Sequence, residues 1–205
     1  MADLILYHAS PSRSSVVLWM LEELAKPYDI KPIKLSDNEQ LRDDYRRLNP
    51  LGKVPTLVHK GVAITEVAAI CTYLADEFPG RKLNIPVGSP QRGVYLKWLF
   101  FAPSVMEPAA NDKVFPRKEP PRPGAIGYRD LDTVLDIVAK ATVPGPYLMG
   151  EQFTAADVVV GSLLRWGMMF GFVPKRPEFE TYVGRLNSRP AAQRAMAKDK
   201  ELSAR

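Results

Sequence analysis

The sequence predicts an α/β unit followed by an all-helical one, and three observations carry this. Short apolar runs bounded by turn residues alternate with helix-period stretches over the first eighty residues, in the order β-α-β-α-β-β-α. After Pro86 the strand signals vanish, and only helix-period stretches remain, divided by proline-rich breaks. The composition, 46% hydrophobic and 25% charged over 205 residues, suffices for the core of one large domain or two small ones. The expected division is an α/β domain over 1–80, a linker over 81–90 and an all-α helical domain over 91–205.

Leu4-Ile5-Leu6-Tyr7-His8 reads as a buried strand. Residues 9–15 are small and polar, with Pro11 and serines at 10, 12, 14 and 15, as in a loop entering a helix. Val17, Leu18, Leu21 and Leu24 recur at three- and four-residue steps, which predicts an amphipathic helix over 16–24. Ile30, Ile33 and Leu35 alternate in a second strand over 28–35, and 41–48 reads as a short, charged helix.

The stretch Asn49-Pro50-Leu51-Gly52-Lys53-Val54-Pro55-Thr56-Leu57 joins turn formers to an apolar run. A proline in a strand-like run belongs to an edge, a bulge or a special turn. The residue before it keeps a backbone amide and carbonyl that no central ladder uses. Such a pair can hold a peptide-like ligand in strand fashion, although the same residues also describe a plain loop-to-strand junction. Residues 56–59 form the strand, Lys60-Gly61 turns it into Val62-Ala63-Ile64, and the two make a hairpin. A helix starts at Thr65-Glu66 and runs through Ala68, Ala69, Ile70, Tyr73 and Leu74 to the stop at Pro79-Gly80.

Further helices are expected over 92–114, 126–141, 154–172, 178–187 and 191–198. The tract Pro-Arg-Lys-Glu-Pro-Pro-Arg-Pro at 116–123 reads as a stiff surface loop or a mobile lid. Phe153-Thr154-Ala155-Ala156-Asp157 has the form of a capping box: Thr154 caps, Asp157 reaches back from the third helical position, and Phe153 can staple onto Val158. Asp157 is therefore structural. Trp98, Phe101, Trp166 and Phe170 mostly fill the core.

A net charge of +5 without a dominant basic block argues against nucleic acid. One cysteine, Cys71, excludes an internal disulfide and fits a reducing compartment; on a helix's apolar side it reads as an inert core thiol. The start, Met1-Ala2-Asp3, lacks the marks of a signal peptide, and no apolar run reaches spanning length, so no membrane contact is expected. His8 and His59 have no partners in the sequence spacing, and no metal site is expected. The expectation is a cytoplasmic protein.

Taken together, four pieces resemble the cytosolic glutathione transferases over nearly the whole chain, in particular bacterial members of serine type. They are residues 7–24, the run Gln40 to Pro55, Thr65-Glu66-Val67-Ala68-Ala69-Ile70 with Tyr73-Leu74, and Phe153 to Asp157, in matching order and spacing. The resemblance implies a thioredoxin-like N-terminal domain that binds glutathione and a helical C-terminal domain that shapes a second-substrate site. It also implies a homodimer. In such proteins the proline matching Pro55 is cis, and the backbone of Val54 pairs with the cysteinyl part of glutathione.

In this family a hydroxyl or thiol at the start of the first helix contacts the glutathione sulfur. A free thiol has a pKa of about 8.5, so little of it is thiolate at neutral pH. A hydroxyl donor and a helix N-terminus both favour the anion. Ser12 aligns with that role, Ser10 and Ser14 are its neighbours in contention, and no cysteine occurs in the loop. Ser12 also reads as a helix cap, which uses the same geometry. Tyr7 stands where other classes keep a catalytic tyrosine, and also reads as a core aromatic. Arg13 reads either as an anion contact or as a solvated charge.

Glu66 matches the residue that receives the ligand's α-ammonium. Val67 departs from the pattern, since many relatives carry Ser or Thr there; its amide can still bind the γ-glutamyl carboxylate, but a hydroxyl donor is gone. Gln40 matches a polar position near the glycyl carboxylate and Lys53 could meet that same charge; either also reads as a surface side chain. The second-substrate pocket is expected among Phe101, Met106, Phe115, Trp166 and Phe170. The implied activity is conjugation of the glutathione thiolate to a small apolar electrophile, with no cofactor beyond glutathione as co-substrate. The alternatives are glutathione-dependent peroxide reduction or reductive chemistry, and a noncatalytic binding or scaffold protein on the same fold.

Overall fold

A computed structural model describes residues 2–122 and 124–204; Pro123, which ends the proline tract, and the chain's two terminal residues lie outside the described residues. The chain forms two compact units, Met1–Arg81 with Ser188–Arg205, and Lys82–Asn187.

The first unit carries β1 (Leu4–His8), α1 (Ser14–Leu24), β2 (Asp29–Pro32), α2 (Asp43–Arg46), β3 (Thr56–His59), β4 (Val62–Thr65) and α3 (Val67–Glu77). Its element order is the one that the apolar periodicity predicts. The expected helix over 41–48 shrinks to one turn, because two 3-10 turns at 35–37 and 39–41 precede it and Arg42 is extended. The second strand shortens for the same reason, since its last expected residue, Leu35, opens the first of those turns.

The four strands lie in the order β2-β1-β3-β4, with β1 parallel to β2 and antiparallel to β3. Lys60 and Gly61, both at positive φ, close the β3–β4 hairpin in the two-residue manner that suits the twist of its strands. This topology brings three chain segments to one end of the sheet. Tyr7 pairs with Thr56, and Thr56 with Thr65. Hence the end of β1, the entry to β3 and the exit of β4 are neighbours, and the starts of α1 and α3 follow there.

Leu6, Val17, Leu18, Leu21, Leu57, Ile70 and Leu74 are fully buried and form the core between sheet and helices. Each fully buried aliphatic side chain of this kind contributes about 1.5–3 kcal/mol. The helix α9 (Pro190–Ser203) packs along α1 and belongs by its contacts to this unit, although the sequence reading assigns it to the helical domain. Polar ties explain the docking. Arg189 forks onto Glu23 at 2.7 and 2.8 Å, and Glu22 takes Arg194 at 2.7 Å and Lys198 at 2.5 Å.

The second unit holds α4 (Gln91–Phe101), a π-type turn (Ala102–Met106), α5 (Glu107–Val114), α6 (Leu131–Thr142), α7 (Ala155–Phe170) and α8 (Pro177–Asn187). The single helix expected over 92–114 is one helical run whose bonding pattern shifts at 102–106. Pro103 and Pro108 lack the amides that a regular ladder needs there. The start of α6 falls at 131 and not at 126, because Asp130 caps it by accepting the Thr133 amide at 2.7 Å.

The capping box at the start of α7 is present as expected. Asp157 accepts from the Thr154 amide, the Leu148 amide and the Tyr182 hydroxyl, each at 2.8 Å. Burial pushes its carboxyl above the ordinary range in spite of these donors. Among the described residues no helix is long and apolar enough to cross a membrane.

Candidate functional site

The run from 49 to 56 is built around one carbonyl. Lys53 C=O accepts from the Tyr45 hydroxyl at 2.5 Å and from the Asn49 side-chain amide at 2.7 Å, and Thr56 Oγ1 lies 2.9 Å from the same hydroxyl. Burial is the main reason that the Tyr45 hydroxyl titrates above its usual value, which keeps it a neutral donor. Gly52, at φ +60°, lets the turn at 39–41 come close: a Cβ there would meet the Gln40 carbonyl at 2.9 Å. The Val54–Pro55 peptide is cis, as the resemblance implies. Val54 is half-buried, and among the described residues none donates to or accepts from its backbone amide and carbonyl. Lys53 has its side chain in solvent.

Gln40 sits in the 39–41 turn with a buried side-chain amide oxygen that has no partner among the described residues. A buried polar atom left unpaired costs about 1–3 kcal/mol, so such a group calls for an explanation. The amide supplies a donor as well as an acceptor to whatever docks there.

Glu66 leads into α3 with φ +68° and ψ 120°, and its carboxylate is exposed with no capping bond. A non-glycine residue in that region carries about 1–3 kcal/mol of strain and persists only where its surroundings enforce it. The first amides of α3, from Val67 to Ala69, have no intrahelical acceptor; the first helical bond runs from Ile70 N–H to Glu66 C=O at 2.9 Å. These donors suit a carboxylate.

At the start of α1 the serines take different places. Ser12 is half-buried, and its Oγ accepts the Ser14 amide at 3.1 Å while lying 2.6 Å from Ser14 Oγ. Ser14 is fully buried. Its hydroxyl accepts the Ala9 amide at 3.1 Å, lies 3.0 Å from the Ala9 carbonyl and stands 2.8 Å from His8 Nδ1. Its oxygen therefore acts on Ser12 and has no surface for a ligand, which corrects its place among the sulfur candidates. Ser10 is half-buried and bonds to Asp199 of α9. Tyr7 points to the opposite face of β1 from His8; its ring packs on Tyr45 at 5.6 Å and its hydroxyl accepts from Lys31 at 3.3 Å. It borders an open hollow of about 370 Å³ with Lys31, Glu39, Arg42 and Tyr45. Arg13 is exposed.

Both histidines have partners that sequence spacing does not reveal. His59 Nδ1 meets the Tyr73 hydroxyl at 2.7 Å, and His8 Nε2 lies 2.9 Å from Asp199 Oδ1. Burial works against the Asp199 anion, yet bonds from His8, Ser10 and Ser15 outweigh it and hold the carboxyl below the usual range. Cys71 is buried, and burial pushes its thiol up to about 12, which fits an inert core thiol. No cluster of metal-ligating side chains occurs among the described residues.

Of the second-substrate candidates, all in the second unit, Met106 is buried in the core at 2% exposure. Its side chain therefore has no surface for a ligand. Phe115 and Phe170 are exposed, Phe101 and Trp166 are half-buried, and Trp166 meets Phe170 edge to face at 5.5 Å.

Comparison with known proteins bears on both units. Residues 2–76 match the family model for the glutathione S-transferase N-terminal domain, and 125–190 that for the C-terminal domain. Glutathione S-transferase 2 of Schizosaccharomyces pombe is 30% identical over all of this chain and 93% of its own length. Among solved structures, a ternary complex of BphK, a bacterial glutathione transferase, is 28% identical, with a TM-score of 0.81 over 96% of this chain and 99% of that one. A glutathione transferase homologue from Sulfitobacter with bound glutathione is 25% identical, with a TM-score of 0.78 over 98% of this chain and 100% of that one.

Proposed function

The chain belongs to the glutathione S-transferase family, and from that premise we propose that it binds glutathione along 54–67 and conjugates its thiolate to a small apolar electrophile. The observation that carries the reading is the Val54 backbone, which no described residue bonds, at the sheet end where α1 and α3 begin. An extended peptide can pair with that amide and carbonyl as a short strand. Its γ-glutamyl carboxylate then meets the first amides of α3, and its α-ammonium meets Glu66. Gln40 supplies a donor toward the glycyl carboxylate. Lys53 adds a mobile positive charge nearby.

With the peptide so held, its sulfur faces the start of α1. Ser12 donates a hydrogen bond to the thiolate, and the helix N-terminus adds its partial positive charge. One charge-assisted bond is worth about 1.5–3 kcal/mol, enough to lower a thiol pKa by roughly one to two. The thiol proton leaves to water, and the thiolate forms the carbon–sulfur bond with the electrophile as its leaving group, halide for an aryl halide, departs with the electron pair. Exposed Phe115 and Phe170, with Phe101 and Trp166, provide apolar surface for that second substrate. The protein works as a homodimer in the cytoplasm in this reading.

Conjugation of glutathione to an aryl halide tests the proposal. Wild type is expected to turn over, and Ser12→Ala to lose about tenfold or more in kcat/KM at neutral pH. Equal rates in the two proteins would remove Ser12 from the role.

A further inference from the structure

Ser12, Ser14, His8 and Asp199 form one contiguous chain of polar contacts, all within the first unit. The arrangement resembles a hydrolase triad in composition, but Ser14 is fully buried and no substrate can reach its oxygen. What the chain can do is control a hydrogen.

Ser14 Oγ has one hydrogen and two lone pairs. The Ala9 amide always occupies one lone pair. The Asp199 carboxylate accepts only, and it stands 2.9 Å from His8 Nε2, so that nitrogen must carry a hydrogen even though the N–H is bent away from the line of contact. Two states then remain for Nδ1. If the ring is neutral, Nδ1 is bare and takes the Ser14 hydrogen; the second lone pair of Ser14 is then open to the Ser12 hydroxyl, 2.6 Å away. Ser12 is folded back. If the ring is charged, Nδ1–H fills that second lone pair, and Ser12 has no acceptor in Ser14. Ser14 instead turns its own hydrogen to Ser12 or to the Ala9 carbonyl. The Ser12 hydrogen is released toward the helix start.

We propose that Asp199, acting through His8 and Ser14, is a positioning residue that frees the Ser12 hydroxyl to donate to the glutathione sulfur when His8 is charged. The inference rests on the reading of Ser12 as the sulfur's partner. Several charged groups on the elements packed around His8 have other engagements. On α1, Glu22 is held by Arg194 and Lys198, and Glu23 by Arg189; on β2, Lys31 turns to Tyr7; on β3, His59 binds Tyr73. Asp199 lies 2.9 Å from the ring, and Ser10 and Ser15 fix its carboxylate.

One substitution, made with and without Ser12, separates this relay from plain electrostatics. Asp199→Asn removes an anion and, in the relay, the Nδ1 hydrogen that the anion sustains; what these charge changes do through space they do in both backgrounds. With Nε2–H kept on the amide oxygen of the new side chain, Nδ1 is bare, Ser12 folds back, and the thiol pKa, read from thiolate absorbance against pH, rises by about 1. In a Ser12→Ala background most of that rise is lost. A lowered pKa, or an equal shift in both backgrounds, overturns the relay while leaving Ser12 in its role. A thiol pKa that Ser12→Ala leaves unchanged overturns the Ser12 reading and the relay with it.

Should Asp199→Asn fail to fold, the unsubstituted protein reads the same coupling by reciprocity. Nitrogen NMR at one neutral pH is expected to show more hydrogen on His8 Nδ1 with glutathione bound than with S-methylglutathione, and Ser12→Ala to abolish most of the difference. An equal difference in Ser12→Ala would be through-space attraction and would overturn the relay.

Discussion

The Tyr45 hydroxyl donates to the Lys53 carbonyl at 2.5 Å, across the turn that leads into β3. That bond, with the one from Asn49, occupies the carbonyl just before Val54 and leaves the Val54 backbone as the next pair without a bond among the described residues. The proposed ligand edge is thus set by a side chain from a different element, α2.

Tyr45→Phe removes this donor and leaves a part-buried carbonyl with one partner. Thermal unfolding is expected to show a loss of about 1–3 kcal/mol, and calorimetry a weaker affinity for glutathione by several-fold. Unchanged affinity would mean that the turn is held without the hydroxyl.

Glu66→Gln keeps the shape and removes the charge proposed to meet the ligand's ammonium. Glutathione affinity is expected to fall by about tenfold or more, with thermal stability hardly changed because the side chain is exposed. The comparison that checks it is glutathione against a ligand whose α-amine is acetylated: the substitution weakens the first and not the second.

Val67→Ser restores a hydroxyl at the first position of α3, where the ligand carboxylate is proposed to dock. It is expected to tighten glutathione binding by about tenfold, as one added bond to a charged group implies. A competition titration against the parent protein decides it, and no gain would mean that the α3 amides already satisfy the carboxylate.

Docking of α9 depends on pH through Glu22. Burial raises its carboxyl, but bonds from Lys198, Tyr28 and Arg194 outweigh that and hold the folded-state pKa below the ordinary value. A depressed carboxyl contributes stability that is present above its unfolded pKa and lost as pH falls through the folded one. Mild acid is therefore expected to loosen α9 from α1. Hydrogen exchange at the amides of α9 should rise below about pH 4, and Glu22→Gln should flatten that dependence and cost about 1–3 kcal/mol at neutral pH. Acid-insensitive exchange would contradict it.

Much of the fold was legible because it follows local pattern. The alternation of Leu4, Leu6 and His8, the Lys60-Gly61 turn and the Thr154–Asp157 box each report on the residues within a few positions of them. The order and spacing of 40–55 and 65–74 marked the proposed site as well. What stayed hidden lies between distant residues. His8 and Asp199 are 191 positions apart, and Glu22 and Lys198 are 176, because α9 returns to pack on α1. No periodicity encodes that return. Serine spacing likewise could not tell Ser12 from Ser14, since one turn of backbone decides which oxygen is buried.

The most direct test is a calorimetric titration of the protein with glutathione. The account predicts saturable binding of one tripeptide per chain at or below millimolar affinity, with the heat reduced by Glu66→Gln. No binding at millimolar glutathione would contradict the assignment of 54–67 as the site.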